Sequence, residues 1–300
     1  MSLAELPNAI DFDLKEPFIR LGRDLKKASA NLSRRDARWL VDMYYTIQDE
    51  RIRSASQLRT SAESGEPHAL ISWVFDGFEK FENAIKGALG EFAATYAVGQ
   101  WLQSQYGIGP VLSAAMLSNF DIRKAQTVGH FWRFAGMDPT CKWEKKQKRP
   151  WNARLKSICL FKMGESFVKF QNRDACHYGK LLAAKKAEIA DRNARGEYAS
   201  VAAAEIEAKG DKMKGTQRIE HWKEGRIAPA HVHDRARRWV VKLFLSNLHE
   251  VMFWDFYGKA PPAPYVFDHP ELGDHRHKLD PPNWPDAERF SGRKLAEMKD

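Results

Sequence analysis

The chain has 300 residues, with 48 Lys and Arg against 39 Asp and Glu, a formal net charge of +9. That length carries one large domain or two small ones with a real core, and the basic excess favours a polyanionic partner. Cys141, Cys159 and Cys176 share no C-x-x-C spacing, which argues against a disulfide framework and for reduced thiols in a cytoplasmic protein. No apolar run of about 18 residues occurs, so no membrane partner is expected, and the acidic start (Glu5, Asp11, Asp13, Glu16) does not read as a signal peptide.

In chain order, a short helix is expected over Leu14–Lys27. Ser33 with Asp36 three residues later matches a capping box with Asp in place of Glu. The recurrence of Ala37, Leu40, Val41, Tyr44 and Ile47 carries that helix to about Leu58, and the turn-rich 61–67 stretch ends it. A second helix has the apolar stripe Leu70, Trp73, Val74, Phe78, Phe81 and Ile85, and a third runs from about Leu89. Thr127 caps a short helix over Val128–Phe134 that Gly136 and Pro139 end. An apolar helix follows at 153–170. The charged, Ala- and Lys-rich stretch from Arg173 to Gly210, broken at Gly196, reads as an exposed, projecting helical hairpin. The strongest helix is His231–Tyr257, with Ala236, Trp239, Val240, Leu243, Phe244, Leu248 and Val251 on its core face and Arg235, Arg238 and Lys242 on another. Beyond Gly258 the prolines predict an irregular, poorly structured tail. The fold class is therefore all-α. Four segments are expected: a helical region over 1–100, a hairpin domain over 101–170, a charged hairpin and long helix over 171–257, and a Pro-rich tail over 258–300.

Residues Trp101 to Leu117 carry the most specific signal. An apolar helix meets Gly107-Ile108-Gly109, and a second helix opens at Pro110, which suits a first helical position. The glycines allow a tight turn and close backbone approach. Small Ser113, Ala114 and Ala115 let the helices pack, while Val111, Leu112, Met116 and Leu117 fill their seam. Such a helix-hairpin-helix presents free N–H groups to a phosphate oxygen and holds nucleic acid without reading its sequence. The plainer alternative is an αα-hairpin with no ligand. From Thr140 to Lys156, seven basic residues face one acid and interleave with Trp143 and Trp151. Lys145, Lys146, Lys148 and Arg149 are placed to neutralise phosphates, and Trp143 to stack on an unpaired base. Trp151 fits packing better than stacking. Gly107, Ile108, Gly109 and Val111 complete the expected nucleic-acid footprint, with Arg235, Arg238 and Lys242 as the next choice.

The Gly107-Ile-Gly-Pro hairpin, Val128-Gly-His-Phe-Trp-Arg-Phe-Ala-Gly-Met-Asp-Pro139, and the basic stretch into Asn152-Ala-Arg-Leu-Lys156 follow one another in a recognisable order. Together they resemble the C-terminal domain of insertion-sequence transposases, which pair a resolvase-like DEDD nuclease domain with a helix-hairpin-helix domain. The arrangement is also similar to transposase-like proteins of phages and mobile elements. The likeness covers roughly residues 100–170 and implies DNA, duplex or branched, as partner. The family's nuclease domain is not matched: Asp11-Phe-Asp13 is the only D-x-D, set beside Pro17 and helical sequence rather than at a strand end. The family's catalytic Ser-Gly pair is also missing, since the Thr140–Trp151 loop contains no serine.

The remaining candidates favour structural roles. His231, His233, His269, His275 and His277 lack companions at structural-zinc spacing, and adjacent Cys176 and His177 do not suit a thiol–imidazole dyad. No phosphate-loop or dinucleotide fingerprint occurs. The expectation is a DNA-binding, transposase-derived protein with no catalytic residues, metal or cofactor of its own, compatible with oligomerisation. A transposase or recombinase subunit and a structured-RNA-binding protein are the alternatives.

Overall fold

The computed structural model describes residues 23, 26–65, 69–263 and 279–300. Residues 26–29 are helical; the rest of the helix expected at Leu14–Lys27 (residue 23 apart), the Asp11/Asp13 pair, and His269, His275 and His277 lie outside the described residues. The chain is all-α, and the one isolated β-bridge among the described residues joins Tyr96 and Arg293. No described helix is long and apolar enough to cross a membrane. Two compact units result. The first takes the described residues up to Ser104 with Gly109–Asp121 and Pro285–Asp300; the second takes Gln105–Ile108 and Ile122–Trp284. This division cuts across the consecutive segments expected from sequence, because distant stretches share a core.

In the first unit, α1 (Arg34–Ser64) starts at the expected capping box. The Asp36 backbone N–H donates to Ser33 Oγ at 3.1 Å, and the Ser33 hydroxyl donates to Asp36 Oδ2 at 2.7 Å. It runs about two turns past Leu58, since nothing before Gly65 (φ +143) opposes helix. Beside it lies α2 (Ala69–Ala94), which buries Ile85, Leu89 and Phe92 and packs on α1, where Ala37, Val41 and Tyr44 are buried. The apolar stripe fades toward the start of α2, where Trp73 and Val74 are exposed. Buried Glu82 accepts from Gln48 at 3.1 Å and from Arg51. Burial acts to raise its pKa, but the hydrogen bonds from Arg51, Gln48 and Tyr44 outweigh it and hold the carboxyl below its usual range.

The helix expected to begin near Leu89 is instead the end of α2. Its break falls at Thr95–Tyr96, and α3 (Ala97–Ser104) restarts with buried Trp101 and Leu102. The break is filled by the C-terminal segment, which corrects the expectation of a poorly structured tail over its last residues. Arg293 N–H donates to Thr95 O at 2.8 Å, and Ala97 N–H donates to Arg293 O at 3.1 Å. Phe290, Leu295 and Met298 are buried, and Arg34 N–H donates to Lys299 O at 2.8 Å. The segment is irregular yet docked. Finally, α4 (Pro110–Asn119) packs on α1 and α2. Its last carbonyls receive Arg34 (Leu117 O at 3.1 Å, and Phe120 O) and Arg38 (Ser118 O at 2.6 Å). Two guanidiniums thus satisfy the negative end of this helix.

In the second unit, α5 (Val128–Phe134) has the expected bounds. Thr127 and His130 form its capping box, the hydroxyl lying 3.0 Å from the ring nitrogen. At the other end Met137 N–H reaches Trp132 O at 2.7 Å and Gly136 N–H reaches Arg133 O at 3.1 Å, with Gly136 at φ +65. That pairing is a Schellman stop, which needs a left-handed residue. Asn152 caps α6 (Ala153–Ser157) by accepting from Leu155 N–H at 3.0 Å. The helix continues through a π-helical stretch, Ile158–Met163, into α7 (Gly164–Lys169). Next, α8 (His177–Ala194) and α9 (Ala199–Lys209) flank Gly196 (φ +78), and a short α10 (Gln217–Lys223) follows. The hairpin of α8 and α9 is not simply a projection. Tyr178, Leu182 and Ile189 of α8 are buried, and Ile189 with Tyr198 shares a cluster with Val232 and Ala236 of α11 (Pro229–Tyr257). Its charged composition concealed that one apolar edge. Helix α11 is the spine of the unit, with Ala236, Val240, Phe244, Leu248 and Val251 buried as expected and Trp239 and Leu243 half-buried. Gly258 (φ +67) ends it.

Candidate nucleic-acid interface

The hairpin glycines play unequal roles. Gly107 has φ +95, and its carbonyl accepts from Ser166 Oγ at 2.6 Å. A Cβ there would meet Ser166, Phe167 and Phe170 at 3.2–3.6 Å. This glycine sets the turn. Gly109 is extended, φ −88 and ψ −179, with nothing within 4 Å of a Cβ position. Its expected part in the turn is therefore corrected: it is the N-terminal flanking residue of α4, its carbonyl receiving Ser113 N–H and hydroxyl, both at 3.0 Å. The Ile108 and Val111 side chains are buried, and the Ile108 N–H is used by Gln105 O at 2.9 Å. What these residues can offer an anion is backbone. With Pro110 lacking an N–H, the amides of Val111 and Leu112 open the first turn without intrahelical partners. The unit boundary falls between Ile108 and Gly109.

The basic stretch lies wholly in the second unit. After the Schellman stop, Asp138 accepts from the Thr140 N–H at 2.9 Å and hydroxyl at 2.7 Å. These bonds, the hydroxyl's first, hold the Asp138 carboxyl below its usual range, aided by Arg133 and Lys242. The Thr140 hydroxyl is thus engaged in a turn. From Lys142 to Pro150 every residue is exposed. Gln147 N–H donates to Glu144 O at 3.1 Å, closing a turn with Lys146 at φ +76. Trp143 donates its indole N–H to Gln147 O at 2.7 Å, and the Arg149 guanidinium lies 5.1 Å from its ring centre. One side of the expected stacking residue therefore carries a cation. Lys145, Lys146, Lys148 and Arg149 are held on a fixed turn, facing solvent.

Lysine in the left-handed region costs about 1 kcal/mol, a cost glycine avoids. Lys146→Gly is therefore expected to keep or raise stability by about that amount. If Lys146 meets a phosphate, the same change lowers the log–log salt slope of DNA binding by about 0.9. Thermal unfolding and a salt titration check the two halves.

Trp151 packs, as its sequence context suggested. A Cβ on Gly136 would stand 2.9 Å from its ring, and the Lys156 ammonium lies 4.4 Å from the ring centre. On α11, Arg235 covers Tyr198 at 4.8 Å, Arg238 is exposed, and Lys242 lies 4.0 Å over Trp132. Lys156 and Trp132 were not singled out from sequence. Trp132 meets α11 at Lys242, its indole N–H donating to that carbonyl at 3.1 Å. Cys176 is buried, its thiol 3.4 Å from Tyr106 O, and His177 stacks edgewise on Tyr178 rather than meeting it. Among the described residues no group of three His, Cys, Asp or Glu is placed to hold a metal ion. Comparison with protein-family models, curated proteins and solved structures finds no match.

Proposed function

We propose that this protein binds DNA through the phosphate backbone and is a cytoplasmic, transposase-derived accessory protein of a phage or mobile element, without a catalytic site of its own. The observation that carries the reading is the preformed, exposed turn presenting Lys145, Lys146, Lys148 and Arg149 with Trp143 beside them. The amide-rich start of α4, in the first unit, is a separate candidate contact. Backbone contacts of this kind give affinity with weak sequence preference. The ordered likeness of residues 100–170 to the transposase hairpin domain supports the choice of DNA over other polyanions.

One competition assay tests it. Filter binding with duplex DNA, single strands and structured RNA present together should retain duplex DNA first. Retention of RNA in preference would replace the reading with an RNA-binding one. Gly109→Val is the sharper variant. Its backbone conformation suits any residue and its surroundings are open, so helicity and melting should stay unchanged. A branched side chain before the free amides should nevertheless lower duplex affinity by roughly tenfold or more, the loss of a charge-assisted hydrogen bond or two. Wild-type affinity in this variant would remove the hairpin from the interface.

A further inference from the structure

Tyr106 stands directly before the Gly107 turn, where the backbone is tied at two successive carbonyls. The buried Cys176 thiol donates to the Tyr106 carbonyl at 3.4 Å, and the Ser166 hydroxyl donates to the Gly107 carbonyl at 2.6 Å. The tyrosine ring nevertheless stays in water, 42% exposed. Its centre lies 5.2 Å from that of half-buried Phe170, the two planes at 89°. In turn, the ammonium of exposed Lys169 lies 5.5 Å from the Phe170 ring centre. An exposed ring, a half-buried ring and a cation thus form one ledge, all of it within the second unit.

A lone exposed apolar side chain is ordinary, but this ring is held rather than free. The tethered backbone and the edge-to-face contact with Phe170 have already removed much of its freedom, so a ligand that covers it loses little entropy. The acids on either side of Lys169 in sequence are committed elsewhere: Glu165 pairs with Arg237, and Asp174 with Lys180 at 2.9 Å. A flat ring beside an ammonium matches a nucleobase and its phosphate. Bases inside a duplex keep their faces against one another, so only an unpaired base can offer one. We propose that Tyr106 stacks on one unpaired base of bound DNA, with Lys169 on an adjoining phosphate. This rests on the DNA reading above and narrows its ligand to DNA that carries an unpaired nucleotide. The site is separate from Trp143, whose ring holds Arg149.

The full chain is titrated with a plain duplex and with the same duplex carrying one unpaired thymine. The second should bind about fivefold or more tightly, the low end of what stacking one base contributes. Tyr106→Leu should erase that preference without changing the salt slope, because stacking releases no counterions. Tyr106→Phe keeps the ring and should keep the preference. Lys169→Met should lower the slope by about 0.9, the share of one phosphate. Both positions are exposed, and thermal unfolding verifies the fold. A 5-iodouracil at the unpaired position should cross-link, under near-ultraviolet light, to the peptide that holds Tyr106. Equal affinity for the two probes, or a preference that survives in Tyr106→Leu, overturns the ledge and leaves the DNA reading standing. An unchanged slope in Lys169→Met removes the phosphate contact. Tyr106-dependent binding of a single-stranded oligonucleotide without any duplex affinity upholds the ledge and overturns the duplex reading, and failure of every probe overturns both.

Discussion

Gly292→Ala should unfold the first unit more readily than any surface change to its helices. A Cβ at this glycine would lie 2.5 Å from Ala97 N and 2.6 Å from Tyr96 C, both backbone atoms that no rotamer change can move. Relief requires the C-terminal segment to lift from the α2–α3 break. That would loosen the reciprocal Arg293–Thr95 and Ala97–Arg293 bonds and the burial of Phe290 and Leu295. Overpacking of this kind costs about 3 kcal/mol, and the loss should appear as a melting transition lowered by several degrees. Leu295→Ala, which leaves a void rather than a clash, should cost about 2–3 kcal/mol by a different route. Differential scanning calorimetry checks both. A Gly292→Ala protein that melts like the parent would mean that the segment adds nothing to the unit it covers.

That segment also marks where the sequence stops being legible. Local chemistry announced most helix ends: Ser33 with Asp36, Thr127 before Val128, Gly136 after Phe134 and Gly258 after Tyr257 all act where their side chains or backbone freedom place them. These signals depend only on residues a few positions apart. The docking of Phe290, Leu295 and Met298 depends on a groove built nearly two hundred residues earlier, and three apolar residues among prolines and charges form no periodic pattern. The apolar edge of α8 was hidden likewise by a sequence rich in Lys and Ala. For the candidate interface, the exposed turn was readable because a charge run with flanking tryptophans is a local feature. The unequal roles of Gly107 and Gly109 were not, since only φ separates them: +95 at one, −88 at the other. Nor was the meeting of Trp132 with Lys242, which requires α5 to lie beside α11. Position along the chain said nothing of that neighbourhood.

Replacing Lys145, Lys146, Lys148 and Arg149 with Ala should produce the largest functional effect in the molecule. All four are exposed, so their truncation leaves the core untouched, and melting should stay within about 0.5 kcal/mol of the parent in stability. Each phosphate neutralised contributes about −0.9 to the slope of log K against log salt, so four engaged cations contribute about −3.6. Removing them should flatten the slope by that amount and weaken binding near 0.1 M salt on the order of a thousandfold. Arg149 also lies over Trp143, so a variant sparing Arg149 separates its charge from its hold on the indole. The slope counts contacts, so a change of about 1.8 would assign two of the four to phosphates and leave the others to solvent. The residual affinity would then belong to the start of α4. An unchanged slope in the quadruple variant would take the turn out of the interface, and the basic face of α11 would have to carry binding without it.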